Sequence, residues 1–243
     1  RYGGELALES TVSVVNLPSE EMKGRIIGRD GRNIRAFDMI TGVEIVVDDT
    51  PGSVMLSSFD PMRREVAKTT LEKLILDGRI HPGRIEETYE KARMDVEEMI
   101  RESGSKAAFD LGIHDMAEPL LELLGKLRFQ SSYGQNLLAH CQEVGMLAGL
   151  IAERLEIDAT LARRAGLLHD IGKALSHEVG TDSAQSSGAL ARKCGESVEV
   201  IEVIETHNLE LLVRSAIAIT VKAADEISTS RPGAHKEKVE EYV

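Results

Sequence analysis

The chain has 243 residues, of which 42% are hydrophobic, and a formal net charge of −12. This length predicts one or two domains, each with a buried core, and the negative charge excludes a generally basic nucleic-acid coat, so a polyanion would need a local positive patch. Two widely separated cysteines, Cys141 and Cys194, indicate a reduced intracellular protein, and the chain has neither a signal-peptide pattern nor an apolar run near the roughly 20 residues that cross a bilayer.

The first 80 residues alternate between strand and helix signals. Residues 1–10 carry little signal, and because the chain starts without Met we expect them to end a preceding region that is missing here. β-branched runs, proline and glycine breaks and apolar periodicity then predict six elements. They are a strand at 11–17, a helix from Pro18 to Ile27, a helix at 32–40, strands at 43–47 and 54–57, and a helix from Asp60 to Asp77.

A glycine turn, Gly28-Arg29-Asp30-Gly31, separates the first two helices. Residues 11–80, with this turn in that element order, resemble the KH domain of RNA-binding proteins. Two glycines allow backbone to approach a phosphodiester chain at a helix N-terminus, and the resemblance implies a cradle for about four nucleotides of single-stranded RNA. The local basic patch comprises Lys23, Arg25, Arg29, Arg32 and Arg35, whereas Asp30 would repel phosphate. The alternative is an ordinary glycine turn with solvated arginines.

Residues 81–130 predict a helical linker without chemistry of its own. Dense alternating charge over residues 85–100 is typical of an exposed connecting helix. We expect Ser103-Gly104-Ser105 to end this helix, with two short helices following at 107–111 and 119–127.

From residue 133 onward the pattern is almost entirely helical, and four residues stand out on apolar faces. His140 lies on the stripe of the first long helix, His169-Asp170 lies inside the apolar helical run Gly166–Lys173, and Asp225 continues a stripe through Val221. Such acids need a cation or another partner when buried, and facing helices of an all-α bundle can build a metal site. Mixed imidazole and carboxylate donors suit manganese, iron, zinc or, less naturally, magnesium. A helix-terminal Asp that caps a core His is the alternative.

This order of His, His-Asp and Asp over residues 133–240 resembles the HD superfamily of metal-dependent phosphohydrolases. The resemblance implies that His140, His169, Asp170 and Asp225 hold a divalent metal ion that activates a water. It also implies catalytic roles for His169, Asp170, as general base, and Lys173, which would meet a phosphate. A solvated charge near a helix end is the alternative for Lys173.

A KH module, a helical link and an HD module, with Tyr133-Gly134-Gln135-Asn136 and Ala223-Ala224-Asp225, together resemble the ribonuclease Y family of bacterial endoribonucleases that initiate messenger RNA decay. The resemblance implies an α+β protein, with a small βααββα KH-type domain at 11–80, a linker at 81–130 and an all-α HD-type domain at 131–243 that is truncated at its C-terminus. It further implies a homodimer, partners in an RNA-decay assembly, and attachment to the cytoplasmic face of the membrane through a missing anchor and coiled coil. The fragment itself is expected to be soluble and cytoplasmic.

Two departures from the family pattern bear on the metal count. Asp182-Ser183-Ala184-Gln185 stands where the family usually has a His, and His207-Asn208 replaces a His-His pair. The sequence therefore predicts at most one tight divalent ion per site. Two other functions stay open: a phosphohydrolase of small nucleotides, which would not need an RNA cradle, and a catalytically weakened RNA-binding scaffold.

Overall fold

The computed structural model describes residues 11–132, 134–175, 183–206 and 215–230. The chain divides into two compact units between Met99 and Ile100. The first unit carries a small sheet with helices and the second is mostly helical, which confirms the predicted fold class. Within the described ranges, every helix is too short or too polar to cross a membrane.

The six elements predicted for the first unit are all present, in the predicted order. They are β1 (Val12–Asn16), α1 (Glu21–Ile27), α2 (Arg32–Thr41), β2 (Glu44–Val46), β3 (Ser53–Ser57) and α3 (Pro61–Asp77). The sheet has the order β1-β3-β2 with both pairs antiparallel, and Leu56 of β3 lies opposite Ser13 and Ile45. The expected β2–β3 hairpin is confirmed, and β1 pairs with the other edge of β3.

One face of this sheet forms the core of the first unit. Alternation along the strands turns Val15, Ile45, Val54 and Leu56 to the same side, where they are at most 5% exposed. Helical residues including Ile26, Phe37, Leu71 and Leu74 cover them. The glycine turn that follows Ile26 and Ile27 is thereby attached to a packed core.

The linker prediction is wrong about where the long helix ends. A single helix, α4 (Pro82–Asp110), continues through Ser103-Gly104-Ser105. It also buries a stripe, Ile85, Thr88, Ala92, Val96 and Ile100, so only its opposite face is an exposed charged surface. A spacing of three or four residues places these side chains on one side of the helix.

Gly104 serves close helix packing, which explains why it does not break α4. A Cβ at this position would lie 1.8 Å from the carbonyl oxygen of Leu121 in α5 (Glu118–Lys126), and a Cβ on Gly125 would lie 1.9 Å from the carbonyl oxygen of Ile100. Two glycines, one on each helix, therefore let the backbones of α4 and α5 approach each other.

The second unit continues with a short ribbon and five described α-helices. The ribbon pairs β4 (Ser131–Ser132) with β5 (Gln135–Asn136), and the helices are α6 (Leu137–Arg154), α7 (Ala159–Leu168), α8 (Ser183–Lys193), α9 (Val198–Thr206) and α10 (Ala216–Ser230). Side chains of Asn136 and Asp158 cap α6 and α7. A Cβ on Gly166 would lie 2.8 Å from the Cα of Gly145, so α6 and α7 cross closely.

The His169-Asp170 pair does not lie inside a helix, contrary to the prediction. Helix α7 ends at Leu168, and the pair forms the turn before a 3-10 segment, Ile171–Leu175. The Lys173 N–H bonds to the Asp170 carbonyl oxygen at 3.0 Å, in the i to i+3 pattern of a 3-10 turn. Both side chains are nevertheless buried, with residue exposures of 1% and 2%.

Candidate metal centre and RNA-facing loop

Three side chains from separate elements converge in the second unit. Ligand atoms of His140 from α6, His169 from the turn after α7, and Asp225 from α10 all lie within 4.8 Å of one another. The two imidazole rings meet edge to face, with their centroids 5.1 Å apart. Because the close α6–α7 crossing brings the two rings together, the site depends on the small residues at that crossing.

Each histidine uses its Nδ1 atom in a contact outside the cluster. Nδ1 of His169 lies 2.7 Å from the carbonyl oxygen of Gly166, and Nδ1 of His140 lies 3.0 Å from the hydroxyl oxygen of Ser228. A carbonyl oxygen only accepts, so His169 carries a proton on Nδ1. Its Nε2 atom is left to face the carboxylates, 3.6 Å from Asp170 and 3.9 Å from Asp225.

Asp225 is held against both histidines. Its Oδ1 atom lies 3.1 Å from Nε2 of His140, and 27% of its side chain is exposed. Burial acts to raise the pKa of Asp225, but the hydrogen bond from His140 and the positive charges of His169 and His140 outweigh it, so the pKa is lowered. The carboxyl group is therefore ionised and available to a cation.

Asp170 lies at the same centre but also contacts a lysine. Its Oδ2 atom is 3.6 Å from Nε2 of His169 and 4.0 Å from Nε2 of His140. The ammonium of Lys173 lies 2.5 Å from the same oxygen, and 40% of that lysine side chain is exposed. Lys173 thus reaches from the surface to the buried carboxylate.

The arrangement suits a cation. Two imidazole nitrogens face two carboxylates inside a largely buried site, and positive charge between these groups offsets the cost of burying the acids. Imidazole and carboxylate together form a donor set for manganese, iron or zinc. The converging group is His140, His169 and Asp225, and Asp170 approaches the two histidine Nε2 atoms while it also contacts Lys173. The assignment of all four residues as metal ligands stays a prediction.

Several residues of the sequence argument lie outside the described residues. They are Asp182, His207 and Asn208, while for Ser183 the structure describes the backbone alone. The one-ion count that rests on Asp182–Gln185 and His207-Asn208 therefore stays a prediction.

The glycine turn of the first unit forms an exposed loop ahead of α2. Gly28 has φ 72° and ψ 171°, Gly31 is left-handed with φ 72°, and Asp30 is left-handed with φ 53°. The Arg29 and Asp30 side chains are each 88% exposed, and Arg32 is exposed at the start of α2. The loop presents backbone, a helix N-terminus and charged groups to solvent, as a phosphate contact requires.

The arginines and lysine around this loop are not equivalent. Arg25 donates to the carbonyl oxygen of Gly78, and Arg35 donates at 2.6 Å to the carbonyl oxygen of Asp30, although both are exposed. Lys23 donates to the carbonyl oxygens of residues 48 and 50, and its side chain is 13% exposed. Lys23 therefore stabilises the β2–β3 loop and is less accessible to a phosphate than Arg29 or Arg32.

Sequence reasoning missed three residues that support these two sites. Asn33, 4% exposed, donates through Nδ2 at 2.9 Å to the carbonyl oxygens of Arg25 and Ile80. In the second unit, the Ser228 hydroxyl oxygen lies 3.0 Å from Nδ1 of His140 and donates at 2.8 Å to Glu143. Spacing offered a signal for the latter two, since each lies three residues after a predicted ligand on the same helix face.

Comparison with known proteins matches a domain family in each of the two units. The KH domain family matches residues 11–73, and the HD domain family matches residues 137–230. Curated proteins named ribonuclease Y align along the chain: that of Acetivibrio thermocellus is 55% identical over 235 residues, covering 97% of this chain and 45% of the relative. Those of Syntrophobacter fumaroxidans and Geobacter sulfurreducens are each 53% identical over all 243 residues, covering 47% of each relative. The chain thus spans slightly less than half the length of these relatives.

Proposed function

The chain belongs to the ribonuclease Y family, and from that premise we propose that it carries the RNA-holding and hydrolytic parts of a metal-dependent endoribonuclease. The substrate would be single-stranded RNA, cleaved at internal phosphodiester bonds. The observation that carries the proposal is the convergence of two imidazoles and two carboxylates in one unit of a chain whose other unit presents a KH-type loop.

We assign the metal to His140, His169, Asp170 and Asp225. The fit rests on the donor set, since both rings direct Nε2 towards carboxylate oxygens and use Nδ1 elsewhere. When bound there, a divalent ion would supply an activated water and offset charge on the phosphoryl oxygens. Manganese, iron and zinc suit these donors better than magnesium.

Lys173 and Asp170 would act on the substrate side of the centre. The Lys173 side chain is 40% exposed, and its ammonium can exchange its contact with the buried Asp170 for a contact with a phosphate oxygen. Asp170 would orient the attacking water and accept its proton as general base. This pair therefore links phosphate binding to the position of the base.

The first unit would hold the RNA chain near its phosphates. Backbone N–H groups at the start of α2, with Arg29 and Arg32 exposed beside them, favour a phosphodiester, while Asp30 in the same loop weakens that contact. The site comprises Gly28, Arg29, Asp30, Gly31, Arg25, Arg32 and Arg35. A contact to backbone phosphates is sequence-tolerant, as a general RNA nuclease needs.

The decisive experiment is cleavage of a 5′-monophosphorylated single-stranded RNA with added manganese. We expect His169→Ala and Asp170→Ala each to lower the rate about a hundredfold or more, because the metal supplies several kcal/mol of transition-state stabilisation. His114→Ala, an exposed histidine of the same unit, is the matched control and should cleave as the parent does. RNA binding without cleavage by the parent would instead favour the scaffold function.

We propose further that one tight divalent ion binds per chain. The intact protein would act as a homodimer with RNA-decay partners on the cytoplasmic face of the membrane. There it would initiate messenger RNA decay. The family resemblance supports these statements. Metal analysis of freshly purified chain should give one equivalent, and two equivalents would contradict the single-ion count.

A further inference from the structure

Two polar residues behind the candidate metal centre connect the helices that carry its ligands. Glu143 follows His140 by one turn of α6, and Ser228 follows Asp225 by one turn of α10. The Ser228 hydroxyl lies 3.0 Å from His140 Nδ1 and donates at 2.8 Å to the Glu143 carboxylate. Ser228 is fully buried and His140 is 6% exposed, so the contact between them forms away from bulk water, whereas Glu143 is half-buried.

The direction of these hydrogen bonds is set by chemistry. An ionised carboxylate only accepts, so the single hydroxyl proton of Ser228 points to Glu143. The lone pairs of the hydroxyl oxygen then accept the Nδ1–H of His140. With Nδ1–H donated to Ser228, the ring turns Nε2 towards Asp225, 3.1 Å away. Without a metal ion Nε2 donates a hydrogen bond to that carboxylate, and a bound cation would replace the Nε2 proton.

We propose that Ser228 and Glu143 are positioning residues that fix the tautomer and rotation of His140 and thereby raise the affinity of the site for a divalent metal ion. This inference rests on the proposed metal-dependent function. It assigns the two residues no contact with substrate, because they act through His140.

The other histidine shows why the support of His140 can be changed by mutation. His169 Nδ1 bonds to a backbone carbonyl, that of Gly166, which no side-chain substitution removes. His140 Nδ1 instead bonds to a side chain. Partners that orient metal-bound histidines in this way are worth about 10- to 100-fold in metal affinity.

Three substitutions at these two positions should have different effects on the His140 ring. Ser228→Ala removes the acceptor for Nδ1–H. Glu143→Ala frees the Ser228 hydroxyl to donate to Nδ1, which leaves Nε2 as the protonated ring nitrogen, where the proton opposes a metal ion. Glu143→Gln keeps an oxygen that accepts from Ser228 and should preserve the arrangement.

The test is titration of the whole chain with Mn²⁺ by isothermal calorimetry. We expect Ser228→Ala and Glu143→Ala to weaken binding about 10- to 100-fold, and Glu143→Gln to remain within about threefold of the parent. Ser187→Ala is the matched control, since Ser187 is also fully buried in this unit and donates its hydroxyl to a backbone carbonyl. It should bind Mn²⁺ as the parent does.

A second measurement separates positioning from simple loss of packing. Proton–nitrogen NMR of the metal-free chain should show a His140 ring N–H at Nδ1 that exchanges slowly in the parent and in Glu143→Gln but not in Ser228→Ala. Unchanged Mn²⁺ affinity and an unchanged Nδ1–H signal in Ser228→Ala would overturn the inference. Absence of Mn²⁺ binding by the parent would instead overturn the proposed function, and the NMR result would still decide the tautomer.

Discussion

Asn33 is the buried anchor of the loop proposed to hold RNA, and replacing it by Asp should release that loop. Its Nδ2 atom donates at 2.9 Å to the carbonyl oxygens of both Arg25 and Ile80, and the residue is 4% exposed. Asn33→Asp keeps the shape but turns carboxyl oxygens towards two carbonyl oxygens. Two lost hydrogen bonds cost about 0.5–1.5 kcal/mol each, and the buried carboxyl adds a similar penalty, so we expect a loss of about 2–4 kcal/mol in the first unit.

Hydrogen exchange over residues 21–41, followed by mass spectrometry, measures this loss. Where exchange reports the opening equilibrium, it should become about 30- to 1000-fold faster. Affinity for single-stranded RNA should fall as well, since the backbone of Gly28 lies against Asn33. Asn16→Asp, exposed on β1, adds the same charge and should leave exchange unchanged. Equal exchange in the two variants would refute the anchoring role of Asn33.

Two further predictions concern the loop charge and the helix crossing. Asp30→Asn should tighten single-stranded RNA binding about two- to fivefold at low salt, because it removes a negatively charged side chain that is 88% exposed. Asn tolerates the left-handed backbone at this position. The control is Glu72→Gln, exposed on α3, and an equal gain there would show that only the net charge matters. Gly104→Ala should lower the free energy of unfolding by about 2 kcal/mol or more, because its Cβ would lie 1.8 Å from the Leu121 carbonyl oxygen. The control is Gly83→Ala in the same helix, where the nearest atom to the added Cβ would be 3.9 Å away. Thermal unfolding by circular dichroism compares these two variants, and equal midpoints would contradict the close crossing.

Local patterns predicted the first unit well because each of its elements carries its own signal. Asp60-Pro61 gives α3 a cap and a first turn, and alternation along the strands marks the buried face. Gly104 was misread because a glycine that ends a helix and a glycine that admits a neighbouring backbone look alike in sequence. Only the approach of Leu121 distinguishes the two.

The turn at His169-Asp170 escaped prediction for a related reason. Leu168 and Ile171 are three residues apart, a spacing that suits both an α-helix and the 3-10 segment that actually follows, so apolar periodicity continued across the end of α7. His140, His169 and Asp225 nevertheless lie close together in space, since burial depends on the face of the element and tolerates a change in helix type.

The contact between Ser228 and Glu143 could not be predicted from the sequence. Spacing places each on the same helix face as a metal ligand, but their contact joins residues 85 positions apart and exists only through the packing of α6 against α10. A motif records which ligands are present, whereas metal affinity also depends on which ring nitrogen of His140 carries the proton. A family member with all four ligands but without the Ser228 hydroxyl should therefore bind Mn²⁺ weakly despite an intact motif.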